Sequence, residues 1–445
     1  MVIIKSQAVV GTRYWRVMNL ENHADVVGIG FGPANIALSL AFADRRRAGL
    51  WAPKALFFEK SASFMWHPGL LIDGATMQIS FLKDLVTQRD PTSPYSFLCY
   101  LKEAGRLPAF INLRDFYPTR REFSDYLRWC SEKSEDQVLY SQKVCRVSLG
   151  ERSNGSIKTL IVTTLDGEGH EHRTNARSVV FALGLQPQFP QGIKSNSRIW
   201  HASELLDRMS NYDASSVQKI IVAGAGQSAA EVVSYLLDNV PRAEIHLLTP
   251  GIGLSPADDS PFVNSIFDSD MVDRVHQMSP EMRNYVRKRH ANTNYGVVDL
   301  DLIVALHRRV YAELVSEQRR LHLRHLSRLL DAREAHDRVL LTVGEPRGEM
   351  REEIEADILI CATGYQPRSV TQLCDSDVLE CFRRSPSGKP EIARDYRIAT
   401  NGELEPPVFT QSDCEDSHGL SANLLSLLAI RSGEIAEAVA KSLQV

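Results

Sequence analysis

The sequence predicts an α/β fold made of two strand–glycine turn–helix units, the second inserted into the first, with a small further region between them. Three observations carry that expectation. Asp25–Phe42 (DVVGIGFGPANIALSLAF) and Lys219–Leu237 (KIIVAGAGQSAAEVVSYLL) each set apolar residues before closely spaced glycines, then an alanine-rich helical stretch. Two apolar runs ending in glycine, Ser178–Gly184 (SVVFALG) and Asp357–Tyr365 (DILICATGY), read as buried parallel strands entering turns. A chain of 445 residues is also too long for one ordinary core.

Along the chain, residues 1–24 mix apolar positions with Arg13, Arg16 and Glu21, which reads as an N-terminal extension and not a signal peptide. The first unit has Gly28, Gly30, Gly32 and then Pro33, a departure from strict G-x-G-x-x-G spacing. Gly28 would allow the tight turn and Gly30 a close backbone approach to a pyrophosphate. Pro33 suits a first helical turn, whose free N–H groups attract phosphate. The next strand, Ala55–Phe58, ends in Glu59, the acid expected on a ribose hydroxyl. Residues 148–175 alternate and turn like a β-meander. Gly224 and Gly226 open the second unit, with Gln227 and Ser228 available for phosphate or ribose contacts. The strand after it ends with neither an acid nor an arginine, so a preference for NADPH or NADH is not legible there. These elements divide the chain into residues 25–212, 213–350 and 351–445. The DILICATGY strand is expected to return the chain to the first unit.

Two Rossmann-like dinucleotide-binding units imply two dinucleotides, and a flavin with a nicotinamide is the usual pairing because hydride passes between the rings. The composition is that of an ordinary globular protein: 43% hydrophobic, 24% charged, net charge −4. No basic excess points to nucleic acid or an anionic membrane surface, and no apolar run of about 18 residues implies a membrane span. Seven scattered cysteines without a CxxC read as reduced thiols of a cytoplasmic protein, which argues against a dithiol flavin reductase. No nucleophile elbow and no metal-ligand cluster is read.

One stretch, QISFLKDLVTQRDPTSPYSF from Gln78 to Phe97, contains an oddity. Lys83 interrupts an apolar run, and burying an ammonium is costly unless an anion meets it. Asp84 and Asp90 are the candidate partners within the chain; a visiting carboxylate is the alternative.

The blocks GIGFGPAN, FFEKSASFMWHPGLL, MQISFLKDLVTQRDPTSPYSFLCYL, FINLRDFYPTRREFSDYLRW, AGAGQSAAE, ADDSPFVNSIF, NTNYGVVDLDLI, CATGY and SHGLSANLLSLLAIRSGEI occur in order between about residues 25 and 437. Together they resemble the microbial N-hydroxylating flavin monooxygenases, most of all the L-ornithine N5-monooxygenases. The resemblance implies FAD-, NADPH- and O2-dependent hydroxylation of the side-chain amine of L-ornithine through a C4a-hydroperoxyflavin, for siderophore or related secondary metabolites, by a homotetramer. NADH remains possible as donor. It also implies that Gln78 hydrogen-bonds the flavin, that Lys83 pairs with the ornithine carboxylate, and that Asn264 and Asn294 hold the amino-acid end. Lys60, Trp66, His67, Thr363, Gly364, His418 and Leu420 fall on the cofactor side, and Ser421 on a substrate or flavin group at the start of the last helix. Asp258 and Asp259 read as loop carboxylates on the nicotinamide side. Lysine and diamine N-hydroxylases are the nearest rivals, followed by a Baeyer–Villiger or sulfoxidising monooxygenase and a non-catalytic dinucleotide sensor. A diamine has no carboxylate, so Lys83 favours an amino acid.

Overall fold

The computed structural model describes residues 23–444; the N-terminal extension up to residue 22 and Val445 lie outside them. Two five-stranded parallel sheets organise the chain. The first runs Val408–Thr410, Val179–Phe181, Val26–Ile29, Ala55–Phe58, Gln137–Leu139. The second runs Ile199–His201, Ile358–Cys361, Lys219–Ala223, Glu244–Leu248, Leu321–Arg324. Their strands are short and mostly buried on both faces, as continuous apolar runs require in a parallel sheet.

Each glycine-turn helix covers one face of its sheet. Pro33–Arg47 packs Ile36, Leu40 and Phe42 against a core that includes Phe57, Phe97, Phe123 and Tyr126, all essentially inaccessible. Gln227–Asn239 packs Ala229, Val233, Leu236 and Leu237 over Ile220, Val222, Ile245 and Leu247. Each such large side chain contributes about 1.5–3 kcal/mol by leaving water. The meander forms as expected, with Lys143–Leu149, Leu160–Leu165 and Glu171–Ala176 antiparallel, and His23–Ala24 added in parallel. A three-stranded antiparallel sheet, Arg328–Ala335, Arg338–Gly344 and Arg351–Ala356, lies in the second half.

The structure differs from the expected connectivity at one strand. Ile358–Cys361 does not return the chain to the first sheet; it pairs between Ile199–His201 and Lys219–Ala223. Its all-apolar, buried pattern is equally suited to either parallel sheet, so sequence alone could not place it. The return comes afterwards, through Tyr365–Pro367, which pairs antiparallel with Leu185–Pro187, and is completed at Val408–Thr410.

Candidate active site

The carboxyl ends of both parallel sheets open into one cleft of about 2810 Å3, where open α/β sheets ordinarily bind ligands. Gly30 and Gly224 show why glycines were needed at its edge. Gly30 has φ +84°, and a β-carbon there would lie 2.6 Å from the Ala182 carbonyl oxygen. Gly224 has φ +152°, and its β-carbon would lie 2.3 Å from the Ala362 oxygen. Gly28 instead sits inside its strand, where an added carbon would strike the Phe57 ring at 2.2 Å. It serves packing, and the turn belongs to Gly30.

Gly32 and Gly226 line the cleft as the N-caps of the two glycine-turn helices, and neither end carries a side-chain cap. Free first-turn amides and the positive end of the helix dipole therefore face the cavity, a donor set that fits dinucleotide phosphates. Glu59 stands at the first turn, its two carboxylate oxygens accepting from Phe31 N and Ser61 N at 2.9 Å each. A carboxylate has further lone pairs, so a ribose hydroxyl can still be accommodated. Pro33, Lys60, Trp66, His67, Gln78, Gln227, Ser228, Thr363 and Gly364 all line the same cleft.

Lys83, Asn264 and Asn294 line it too. Phe81–Lys83 forms a 3-10 turn capped by the Ser80 hydroxyl, which leaves Lys83 half-buried on the wall instead of in the core. Its ammonium lies 5.9 Å from the centroid of the Phe267 ring. Neither neighbouring carboxylate is its partner. Asp84 is buried and accepts from Val86 N, Thr87 N, Thr87 Oγ1 and Phe97 N, while Asp90 pairs with Arg47 at 2.7 Å. Asn264 donates to the Asp259 carbonyl at 2.9 Å. Asp259 lines the cleft, whereas Asp258 accepts the Ser260 hydroxyl within its own loop at 2.9 Å.

A polar chain ties the flanks of the cleft together. Gln78 Nε2 donates to Asp299 Oδ1 at 3.2 Å, and Gln227 Nε2 donates both to Asp299 Oδ2 and to Glu231 Oε1 at 3.0 Å. Arg120 forks onto Glu231 at 2.7 and 2.8 Å and donates to the Leu70 carbonyl at 3.0 Å. Burial raises the Asp299 carboxyl above its usual range, opposed by the Gln78 bond. Burial, followed by the Arg120 charge, holds His67 down at about 4, so its imidazole is neutral at pH 7.

A model of the family described as L-lysine 6-monooxygenase/L-ornithine 5-monooxygenase matches residues 22–367. The chain belongs to this family. It is 37% identical over 417 residues to an L-ornithine N(5)-monooxygenase of Pseudomonas aeruginosa, covering 92% of each chain. Among solved structures, ornithine N-hydroxylase of Kutzneria sp. 744, described with reduced FAD, NADP+ and L-ornithine, matches with TM-score 0.90 and 39% identity, over 94% of this chain and 99% of that one. An L-lysine 6-monooxygenase of Pseudomonas syringae matches with TM-score 0.83 and 30% identity, over 94% of this chain and 100% of that one.

Besides Gly28, three expected residues of this lysine/ornithine monooxygenase fall away from the cleft. His418 and Leu420 line a separate small cavity, and Ser421 is buried and lines neither. His418 stacks on Tyr396 at 4.2 Å, and its Nε2 lies 3.2 Å from the Arg394 carbonyl. Leu420 packs against Ile266 and Phe267. The last helix opens only at Leu428, because Gly419 at φ +84° turns the chain and two 3-10 turns intervene. Asn423 to Ser426 reach the cleft in place of Ser421. Arg120, Glu231, Asp299 and Phe267 were not anticipated. The one available signal was Glu231, an acid on the buried stripe of an alanine-rich helix, one turn after Gln227.

Proposed function

We propose that this chain is an L-ornithine N5-monooxygenase: L-ornithine, NADPH, O2 and a proton give N5-hydroxyornithine, NADP+ and water. The observation that carries the reading is the Lys83 ammonium on the cleft wall, with both nearby carboxylates engaged elsewhere. Such a cation is matched by a ligand carboxylate, which an amino acid has and a diamine lacks. The greater identity to ornithine enzymes than to the lysine enzyme supports the choice of ornithine.

FAD would be held at the first glycine turn and Glu59, and NADPH at Gly224–Ser228; together they would supply the hydride and the means to activate O2. The chain's own task is to position the substrate and to keep its amine reactive. Lys83 fixes the carboxylate by a charge-assisted bond, and the Asn264 and Asn294 amides hold the same amino-acid end. The substrate amine attacks through its lone pair, so it reacts as the neutral base although alkylammonium ions lose their proton only near about 10.4. His67 offers a hydrogen-bonding group without fixed charge. Gln78, held by its bond to Asp299, would offer the rest of its amide to the flavin. No protein nucleophile is required.

Lys83→Met tests the reading. Loss of one charge-assisted bond, about 1.5–3 kcal/mol, raises the ornithine KM about tenfold to a hundredfold, while NADPH still reduces the bound flavin at the wild-type rate. An unchanged KM would remove Lys83 from the carboxylate role.

A further inference from the structure

Away from the cleft, the second sheet gathers another set of ligating side chains. Strand alternation places Glu244 and His246 on one face of Glu244–Leu248, and the parallel register sets His322 directly beside His246. Glu244, His246 and His322 each offer a ligand atom, and these atoms lie within 4.8 Å of one another. The imidazoles stack with centroids 4.5 Å apart and planes 14° from parallel, and Glu244 Oε2 is 3.3 Å from His246 Nε2. His246 is only 8% exposed. Its Nδ1, and Nε2 of His322, are buried without a hydrogen-bond partner. Leaving a buried nitrogen unpartnered costs about 1–3 kcal/mol, and two in one cluster call for a common cause. None of the three residues lines the cleft.

We propose that Glu244, His246 and His322 bind one divalent transition-metal ion, zinc foremost. Two imidazoles and a carboxylate form a three-ligand zinc set that leaves the fourth tetrahedral position to water. Imidazoles disfavour calcium and magnesium, which take oxygen ligands. At metal–ligand distances of about 2.1 Å, tetrahedral ligand atoms stand about 3.4 Å apart, so closing the site from within 4.8 Å takes side-chain rotations that turn the stacked rings toward a common point.

Two cations flank the triad. Arg324 forks onto Glu352 at 2.7 and 3.2 Å, so its guanidinium is engaged by a carboxylate outside the triad. Lys219 lies in register with Glu244 on the neighbouring strand. A bound ion would fasten the edge strand Leu321–Arg324 to Glu244–Leu248.

The test titrates chelator-stripped, full-length protein with Zn2+ against a metallochromic indicator and follows thermal unfolding with and without the ion. Wild type takes up one zinc per chain and gains Tm. His246→Gln and His322→Gln bind at least about tenfold more weakly and gain none, since even supporting groups around a metal are worth that much. His307→Gln, at an exposed helical histidine, behaves as wild type. Should either variant fail to fold, Glu244→Gln, whose side chain is 51% exposed, reads the same loss. Absence of stoichiometric zinc binding, or binding undiminished in the triad variants, overturns the proposal.

Discussion

In a buried strand, a lysine within Phe81–Val86 would face several kcal/mol of desolvation. The 3-10 turn at Phe81–Lys83 avoids that cost by delivering the ammonium to the cleft while Leu85 and Val86 go to the core. The sequence showed the anomaly at Lys83 but not its half-buried setting, because a three-residue turn leaves no periodic trace. His418 shows the opposite outcome, a histidine beside a glycine that looked like a site residue and is an interior one. Burial chiefly holds it down at about 3, against about 6.5 for a free histidine. Between those values the unfolded chain takes up a proton that the folded chain refuses, so stability falls as pH drops through that window. From pH 7 to pH 5 this one group should cost about 2 kcal/mol. Denaturant unfolding at both pH values checks it: the drop should shrink by about that amount in His418→Gln, and an equal drop in both proteins would exclude the histidine as its source.

The two glycine-turn helices were legible as elements because they combine apolar runs, glycine spacing and an alanine-rich face. What joins them across the cleft was not. Arg120 opens the helix Arg120–Glu132, Glu231 lies on Gln227–Asn239, and their paired side chains are 13% and 5% exposed. A charge in sequence reads as solvated until its partner, 111 positions away, is known. Removing one member strands the other in a buried setting. Arg120→Ala should therefore destabilise the protein by about 3–5 kcal/mol, measured by chemical denaturation. The apolar double replacement Arg120→Met with Glu231→Leu should restore most of that loss. A double variant no more stable than Arg120→Ala would mean that the ion pair itself supplies the stability.

At the scale of the whole molecule, the sequence conveyed two parallel α/β units and the meander, since each rests on local pattern. It misplaced Ile358–Cys361, whose partners are fixed by tertiary pairing. It also could not bring Glu244, His246 and His322 together, because their proximity depends on the register of two strands distant in sequence. The cleft exists because both sheets turn their carboxyl ends toward it, and the antiparallel pair Leu185–Pro187 and Tyr365–Pro367 carries the chain between them. Among the described residues, no helix is long and apolar enough to cross a membrane. The proposed activity needs both sheets at once, one for the flavin and one for the nicotinamide, with Lys83 selecting an amino-acid substrate at their junction. The measurement that tests this most directly is hydroxylamine product formed from ornithine, lysine, putrescine and cadaverine side by side, with NADPH and then NADH. N5-hydroxyornithine is the expected principal product, formed with NADPH; product from a diamine or lysine in preference to ornithine would contradict the proposed activity.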